Sequence, residues 1–339
     1  MLEVVNLKRK ILDVKNLSTS FRNKKEEIVT VDNISFEVYE GETLGIVGES
    51  GCGKSLTSLS VMGLVKSPGE VKAKSVLYDG MNLNKLDKKS FRKIRGNSIS
   101  MIFQEPMTSL NPSYKIGNQV GETLKVHKKM SKEKRLSITI DLLEQVGIAR
   151  AEEIANSYPH QLSGGMRQRV MIAMAIACQP KLIIADEPTT ALDVTIQAQI
   201  LDLLKNLQVE NNMAMILITH DLGVVSEVCE RVVVMYAGKI VERGNVSDVL
   251  SNPKHPYTTG LLASLPKNKV PQSDLPFIPG QVPPPEQWGN GCRFAERCPS
   301  AFDRCFKEQP PLYTIANERE VACWLYEREG VVQLDEGGE

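Results

Sequence analysis

The chain has 339 residues, of which 42% are hydrophobic, enough to bury one large core and a smaller appendage. Its 41 Lys and Arg residues balance 41 Asp and Glu residues, so no overall basic field indicates nucleic-acid binding. No run approaches the roughly 18–20 apolar residues of a membrane-spanning helix, and the charged first segment has the pattern of neither a signal nor a transit peptide. We therefore expect a cytosolic chain that reaches any membrane through a partner.

Short, β-branched apolar runs predict the buried strands of a parallel sheet at 43–47, 182–185, 215–219 and 232–236. Helical patterns lie between these runs, as at 197–207. This alternation indicates an α/β fold that binds its ligands at the carboxyl edge of the sheet. From residue 107 onward the strand signal gives way to amphipathic helix, as at 138–146, and predicts a helical subdomain at about 107–165.

The segment 48–55 fits the phosphate-loop pattern GxxxxGK[ST], with a predicted strand before it and a helical pattern after it. Its glycines let backbone amides curl around phosphates, and the helix N-terminus adds a favourable dipole. Lys54 is predicted to reach the β- and γ-phosphates of ATP, and the Ser55 hydroxyl to ligate Mg²⁺. The candidate nucleotide-binding residues here are Gly48, Glu49, Ser50, Gly51, Cys52, Gly53, Lys54, Ser55 and Leu56.

The apolar strand at 182–185 leads directly into two acidic residues. Asp186 suits a Mg²⁺ site, and Glu187 suits the base that polarises the attacking water. His220 follows the run 215–219, and its place at the same sheet edge favours a γ-phosphate contact over a structural role. Glu187, His220 and Lys54 are the predicted catalytic residues.

The sequence LSGG at 162–165 opens a helical pattern and predicts a second anion-binding helix start. A chain that already has a phosphate loop has no need of a second one for its own nucleotide. Ser163, Gly164 and Gly165 are therefore predicted to cap the nucleotide of another subunit; an ordinary serine-capped helix start is the alternative.

With these motifs in order, residues from about 11 to 250 resemble the ABC transporter ATPases, which implies a P-loop NTPase core with an inserted helical subdomain. The resemblance implies that Gln104 senses Mg²⁺ and the γ-phosphate, and that Asp193, in the D-loop ALD at 191–193, faces the opposite subunit. It also makes Phe21 the candidate for stacking on adenine, with a core phenylalanine as the alternative.

A closer resemblance, to the dipeptide/oligopeptide permease ATPases and most to the dipeptide D type, covers nearly the whole chain. It rests on the segments 107–112, 158–161 and 255–258 and on the proline-rich, four-cysteine tail. It implies an ATPase that powers import of dipeptides or oligopeptides, with nickel or another small solute as the alternative cargo. It also implies a second homologous ATPase, two membrane permeases, an extracytoplasmic binding protein and a location on the cytoplasmic face of the membrane.

Composition changes near residue 252, which predicts a nucleotide-binding domain over 1–252 and a proline-rich, largely extended C-terminal domain over 253–339. Four cysteines in that domain follow the spacing C-x5-C-x6-C-x17-C, and no histidine lies near them in sequence: Cys292, Cys298, Cys305 and Cys323. Four thiolates suit Zn²⁺ or a [4Fe–4S] cluster, and four buried free thiols are the bland alternative. The peptide-permease resemblance favours the cluster, acting as a structural metal staple.

Two other classes of protein are less compatible with the sequence. Soluble ABC ATPases of DNA repair or translation carry two cassettes or long coiled-coil insertions, and a single cassette with neither is found here. A non-hydrolysing sensor would not need both Glu187 and His220.

Overall fold

The computed structural model describes residues 8–22, 26–105, 109–190, 192–264, 277–316 and 319–327. The strands in these ranges are β1 (Lys10–Arg22), β2 (Glu27–Tyr39), β3 (Thr43–Val47), β4 (Gly69–Lys72), β5 (Ser75–Tyr78), β6 (Met81–Asn82), β7 (Ile99–Ile102), β8 (Leu182–Asp186), β9 (Ala214–Thr219), β10 (Arg231–Tyr236), β11 (Lys239–Asn245), β12 (Tyr313–Ala316) and β13 (Arg319–Val321). The α-helices are α1 (Lys54–Val61), α2 (Lys88–Ile94), α3 (Ile116–Lys128), α4 (Lys132–Gln145), α5 (Ala151–Ala155), α6 (Gly164–Ile176), α7 (Val194–Asn211), α8 (Leu222–Val228), α9 (Val246–Ser251) and α10 (Pro256–Ala263). Short 3₁₀ segments lie at Leu83–Lys85, Pro159–Gln161, Pro285–Gln287, Ala295–Arg297, Asp303–Phe306 and Trp324–Tyr326.

The chain divides into two compact units, and each unit is assembled from separated stretches of sequence. The first unit consists of Met1–Asp13, Glu37–Thr43 and Ser75–Ile218. The second unit consists of Val14–Phe36, Leu44–Lys74 and Thr219–Glu339. The domain boundary near residue 252 follows composition and stays a prediction.

The first unit is built on parallel strands whose side chains are buried on both faces. β7 pairs with β8, and β8 pairs with β9, so that Asp186 lies opposite Ile218. The predicted strands at 182–185 and 215–219 are present, each one residue longer than the apolar pattern indicated. All residues of β8 and β9 are buried, as a continuous β-branched run requires when both faces are covered.

Helices α3 to α5 lie within the predicted helical stretch of about 107–165, and α6 begins at its end and runs on to Ile176. The predicted helix at 138–146 is α4, which begins six residues earlier because Ser131 caps its start by accepting a hydrogen bond from the amide of Lys134. The polar first turn of α4 has no apolar period to reveal it. Met107 and Thr108, part of the segment 107–112, lie outside the described residues.

The second unit contains a mixed sheet that carries the phosphate loop. Residues 44–47 of β3 pair in parallel with β10, β10 pairs antiparallel with β11, and β13 lies between β11 and β12. Buried ion pairing joins β13 to β11, because Arg319 donates to Glu242 over 2.8 Å and both side chains are buried. Beside β1, β4 pairs antiparallel with residues 18–21.

Aromatic side chains of the C-terminal region form part of the same hydrophobic core as the strand before the phosphate loop. Tyr236, Tyr257 and Phe294 meet edge to face, with ring centroids 4.7–5.4 Å apart. Val47, the last residue of β3, belongs to this cluster. The region after residue 252 is therefore packed into the second unit through large apolar groups.

Two expectations for the C-terminal region need correction. Pro256 begins helix α10 instead of an extended linker, since proline is well accommodated at a first helical position. A metal-stapled fold is not supported: within the described ranges, no group of three or more His, Cys, Asp and Glu residues is arranged to hold a metal ion. Instead, Tyr257 and Phe294 of this region pack in the aromatic cluster, and Arg319 pairs with Glu242.

Among the helices that the structure describes, none combines the length and the apolar character needed to cross a membrane.

Candidate nucleotide-binding site

The phosphate loop follows β3 in the second unit, and its glycines are required by backbone geometry. Gly48 has φ of 153°, and a side chain there would collide with the carbonyl oxygen of Met235. Gly51 and Gly53 have φ of 81° and 102°, in the region that favours glycine. Gly53 is the N-cap of α1, so the loop ends where the unpaired amides and the dipole of a helix begin.

Lys54, the first residue of α1, is buried at 5% exposure and points back into the loop. Its Nζ donates to the carbonyl oxygens of Gly48, at 2.7 Å, and Glu49, at 3.0 Å. The ammonium group is therefore held at the centre of the loop, the position from which it would meet phosphate oxygens. Ser55 and Leu56 are half-buried in the first turn of the helix.

Two further predicted residues belong to the second unit. Phe21, the penultimate residue of β1, is half-buried, and its ring edge would lie 2.8 Å from any Cβ placed on Gly69. Its stacking on adenine stays a prediction. His220 follows β9 immediately and is exposed, just before Asp221 caps α8 through the amide of Gly223.

Gln104, Asp186 and Glu187 come together in the first unit. Gln104 Nε2 donates to Glu187 Oε2 over 3.1 Å, and the hydroxyl of Thr190 donates to the same oxygen over 2.9 Å. Glu187 has φ of 45°, and its amide donates to the carbonyl oxygen of Ile218. Asp186 is 4% exposed at the end of β8. The carboxylate of Glu187 is thus fixed from two sides, as a base with a defined direction needs to be.

Thr190 is a contact that the sequence patterns did not single out. It lies three residues after Glu187 in a turn closed by the hydrogen bond from the Thr190 amide to the Glu187 carbonyl oxygen. A hydroxyl residue in the turn that follows an acidic strand end is the signal that would have found it.

The predicted signature and Asp193 are neighbours in the first unit. Ser163 caps α6 by accepting from the amide of Met166 over 3.3 Å, and both Ser163 and Gly164 are exposed. Gly165 lies against α7, since a Cβ there would be 2.9 Å from a methyl of Ile196. The Asp193 carboxylate caps α7 through the amide of Ile196, at 2.9 Å. Ala191, also part of the D-loop, lies outside the described residues.

The four clustered cysteines line one cavity of about 20 Å³ in the second unit. This is room for about one water molecule. Burial raises the pKa of the Cys292 and Cys323 thiols to about 11 and also raises that of Cys298. The same cavity is also lined by His255, which is distant from these cysteines in sequence. His255 is buried, which lowers its pKa to about 3, and its Nδ1 accepts a hydrogen bond from the Tyr257 amide.

Comparisons with known proteins agree with these motifs. Residues 31–190 match the ABC transporter family, and residues 241–305 match the oligopeptide/dipeptide transporter C-terminal region. The oligopeptide transport ATP-binding protein AppD of Bacillus subtilis (strain 168) is 53% identical over 324 residues, covering 95% of this chain and 99% of AppD. The dipeptide transport ATP-binding protein DppD of Escherichia coli (strain K12) is 50% identical over 313 residues, covering 92% and 96%. This chain belongs to the peptide-transporter branch of the ABC ATP-binding proteins.

Solved structures of ABC cassettes have the same fold. A dimeric structure of the ATP-binding cassette MJ0796, in a post-hydrolysis state bound to ADP and Pi, is 31% identical, with a TM-score of 0.62. The match covers 69% of this chain and 98% of the MJ0796 cassette. The predicted α/β P-loop cassette is therefore confirmed.

Proposed function

We propose that this chain is the ATP-binding and ATP-hydrolysing subunit that powers an ABC importer of dipeptides or oligopeptides. The observation that carries the proposal is one chain with a complete phosphate loop, a fixed Glu187 carboxylate and a match to the oligopeptide/dipeptide transporter C-terminal region. Its relatives over more than nine-tenths of the chain are oligopeptide and dipeptide transport ATP-binding proteins. We assign 1–252 to the nucleotide-binding domain and 253–339 to the C-terminal domain.

The chemistry assigned to the site is positioning and charge stabilisation. The loop amides and Lys54 bind the phosphates of ATP, Ser55 and Asp186 serve Mg²⁺, and Glu187 polarises the attacking water. Gln104 senses the γ-phosphate, because its side-chain amide donates a hydrogen bond to the carboxylate of Glu187, the assigned general base. His220, exposed after β9, contacts the γ-phosphate.

The signature is assigned to the nucleotide of a second subunit. Support comes from its exposure: the start of α6 presents Ser163 and Gly164 outward. Val194, beside Asp193, is 83% exposed, an apolar side chain suited to a partner surface. Each ATP would then be enclosed by the loop of one chain and the signature of the other, in a heterodimer with a homologous ATPase or in a homodimer.

We expect the isolated chain to be a monomer with low ATPase activity, because each site lacks the signature of its partner. Adding the second ATPase and the two permeases should raise turnover by at least about tenfold, since several hydrogen-bond donors to the phosphates are completed in trans. Light scattering and phosphate release, measured on the same samples, test this. A monomer that hydrolyses ATP as fast as the assembly would contradict the proposal.

Transport measurements test the cargo and the location. The assembly is assigned to the cytoplasmic face of the membrane, with an extracytoplasmic binding protein that delivers peptide. In proteoliposomes with ATP on the side of this subunit, labelled dipeptide should accumulate on that same side. Accumulation of nickel without peptide would assign the motor to a different importer.

For the C-terminal region we propose a [4Fe–4S] cluster held by Cys292, Cys298, Cys305 and Cys323, with Zn²⁺ as the alternative. The four cysteines line one cavity, which supports the proposal, and four thiolates are the usual donor set for both groups. The cavity of about 20 Å³ is too small for a cluster, so the thiols would need to move apart to accept one. Its role would be to join the short segments of this region.

Anaerobically purified full-length protein should be brown, absorb broadly near ~400 nm and contain about four irons per chain. Cys305→Ser should lower the iron content, whereas Cys178→Ser, which changes a buried cysteine of the first unit, should not. One zinc per chain would show that the site holds Zn²⁺ and not a cluster. A folded protein without metal would exclude both.

A further inference from the structure

Glu49, the second residue of the phosphate loop, is held through its backbone by a residue far along the chain. Its amide donates a hydrogen bond of 2.8 Å to the hydroxyl oxygen of Tyr257. Tyr257 is fully buried in the aromatic cluster of the second unit. An amide committed to this bond does not point toward a phosphate, so Glu49 serves the loop as an anchor.

The side chain of Glu49 is held as well, by a guanidinium from the cysteine-bearing region. Arg297 Nη1 and Nη2 donate to its two carboxylate oxygens over 3.1 and 3.3 Å. The Arg297 side chain is 8% exposed and that of Glu49 is 29% exposed, so this two-pronged pair is partly buried. Arg297 is itself fixed, because its Nε donates to Pro279 and its Nη1 donates to the Tyr236 hydroxyl.

The ion pair of Arg297 with Glu49 neutralises a negative charge in the loop that is proposed to bind ATP. The backbone carbonyl oxygen of Glu49 accepts a hydrogen bond from Lys54 Nζ over 3.0 Å, so this acidic residue belongs to the loop that holds the phosphate-binding cation. An unneutralised carboxylate on this residue would add a negative charge to the loop, which would repel a triphosphate. Arg297 cancels that charge and fixes its direction.

We propose that Arg297 is a positioning residue for nucleotide binding, acting on the phosphate loop through Glu49. The inference rests on the proposed function, since it assumes that the loop binds ATP. It makes the C-terminal region a part of the loop's support in the same chain. The Arg297 side chain need not touch the nucleotide.

The test is titration of full-length wild-type protein and three variants with Mg-ATP in a calorimeter. Arg297→Gln leaves the Glu49 charge uncompensated and should weaken ATP binding by about tenfold, as expected for loss of one partner of a partly buried, hydrogen-bonded ion pair. Glu49→Gln alone should weaken ATP binding less than Arg297→Gln does. The double variant should bind better than Arg297→Gln, because no charge is left to neutralise. A purely structural pair would show the same rescue in its thermal melt, so a positioning role predicts that the affinities differ while the melting temperatures of the two variants agree.

Arg304→Gln is the matched control, because Arg304 lies in the same region but pairs with Glu308 and Glu327, away from the loop. It should bind ATP as the wild type does. If Arg297→Gln does not fold, as shown by its thermal melt, Arg297→Lys keeps the charge and should bind ATP more tightly than Arg297→Ala.

Each outcome separates the two proposals. Wild-type protein that does not bind ATP overturns the proposed function. Wild-type binding with equal affinity in Arg297→Gln, or a double variant no better than Arg297→Gln, overturns the positioning role alone.

Discussion

Glu187→Gln should abolish most ATP hydrolysis while leaving ATP binding close to that of the unchanged chain. The carboxylate oxygen that accepts from Gln104 and Thr190 is replaced by a neutral amide of the same size, so the site keeps its shape but loses its base. A positioned general base contributes about 10²–10⁴-fold, and we expect turnover in the assembled transporter to fall by at least about 100-fold. Phosphate release and Mg-ATP titration measure the two effects separately.

The same variant should trap the ATP-bound pair of subunits, because the step that separates them has been slowed. Light scattering with Mg-ATP should show this as a larger particle than the wild type gives. Glu210→Gln, which changes an exposed carboxylate at the end of α7, is the control and should hydrolyse ATP normally. Hydrolysis by Glu187→Gln at the wild-type rate would show that another group is the base.

Lys54→Ala should instead weaken nucleotide binding itself. The ammonium is buried at the centre of the loop and is held there by the Gly48 and Glu49 carbonyl oxygens. Losing charge-assisted hydrogen bonds to phosphate costs about 1.5–3 kcal/mol, so we expect affinity for Mg-ATP to fall roughly 10- to 100-fold. Calorimetric titration of the full-length chain measures this directly.

Lys66→Ala removes an exposed lysine from the same unit and should leave the affinity unchanged. Thermal melts of both variants check that the loop still folds without the contacts of Lys54. If Lys54→Ala binds Mg-ATP as tightly as Lys66→Ala does, the lysine has no part in holding phosphate.

The elements that could be predicted from the sequence are those with local determinants. A stretch of about ten residues is enough to recognise each of three features: the strand β3, the glycines of the loop and the acidic end of β8. The ends of helices were harder to predict from the sequence. The apolar pattern at 197–207 covers only the middle of α7. The true start is set by the Asp193 cap and the end by Asn212 in a left-handed conformation.

Contacts between distant parts of the chain could not be predicted in this way. Glu49 and Arg297 lie 248 positions apart, and neither periodicity nor spacing brings them together. The cysteine spacing suggested a metal site but gave no distances, and it left out His255, which shares the cavity. The roles of Asp186, His220 and the signature stay predictions, because they depend on a nucleotide and a second subunit.

The discontinuous second unit has a consequence for synthesis. Residues of Leu44–Lys74, which carry the phosphate loop, belong to a unit completed only by Thr219–Glu339. At about 5–20 residues per second, a ribosome needs on the order of ten seconds to travel from the first segment to the second. During that time the nascent loop lacks Met235, Tyr257 and Arg297, so its apolar strand is exposed to chaperones and proteases. The phosphate loop of a newly made chain can therefore form these contacts only after Arg297 has left the ribosome.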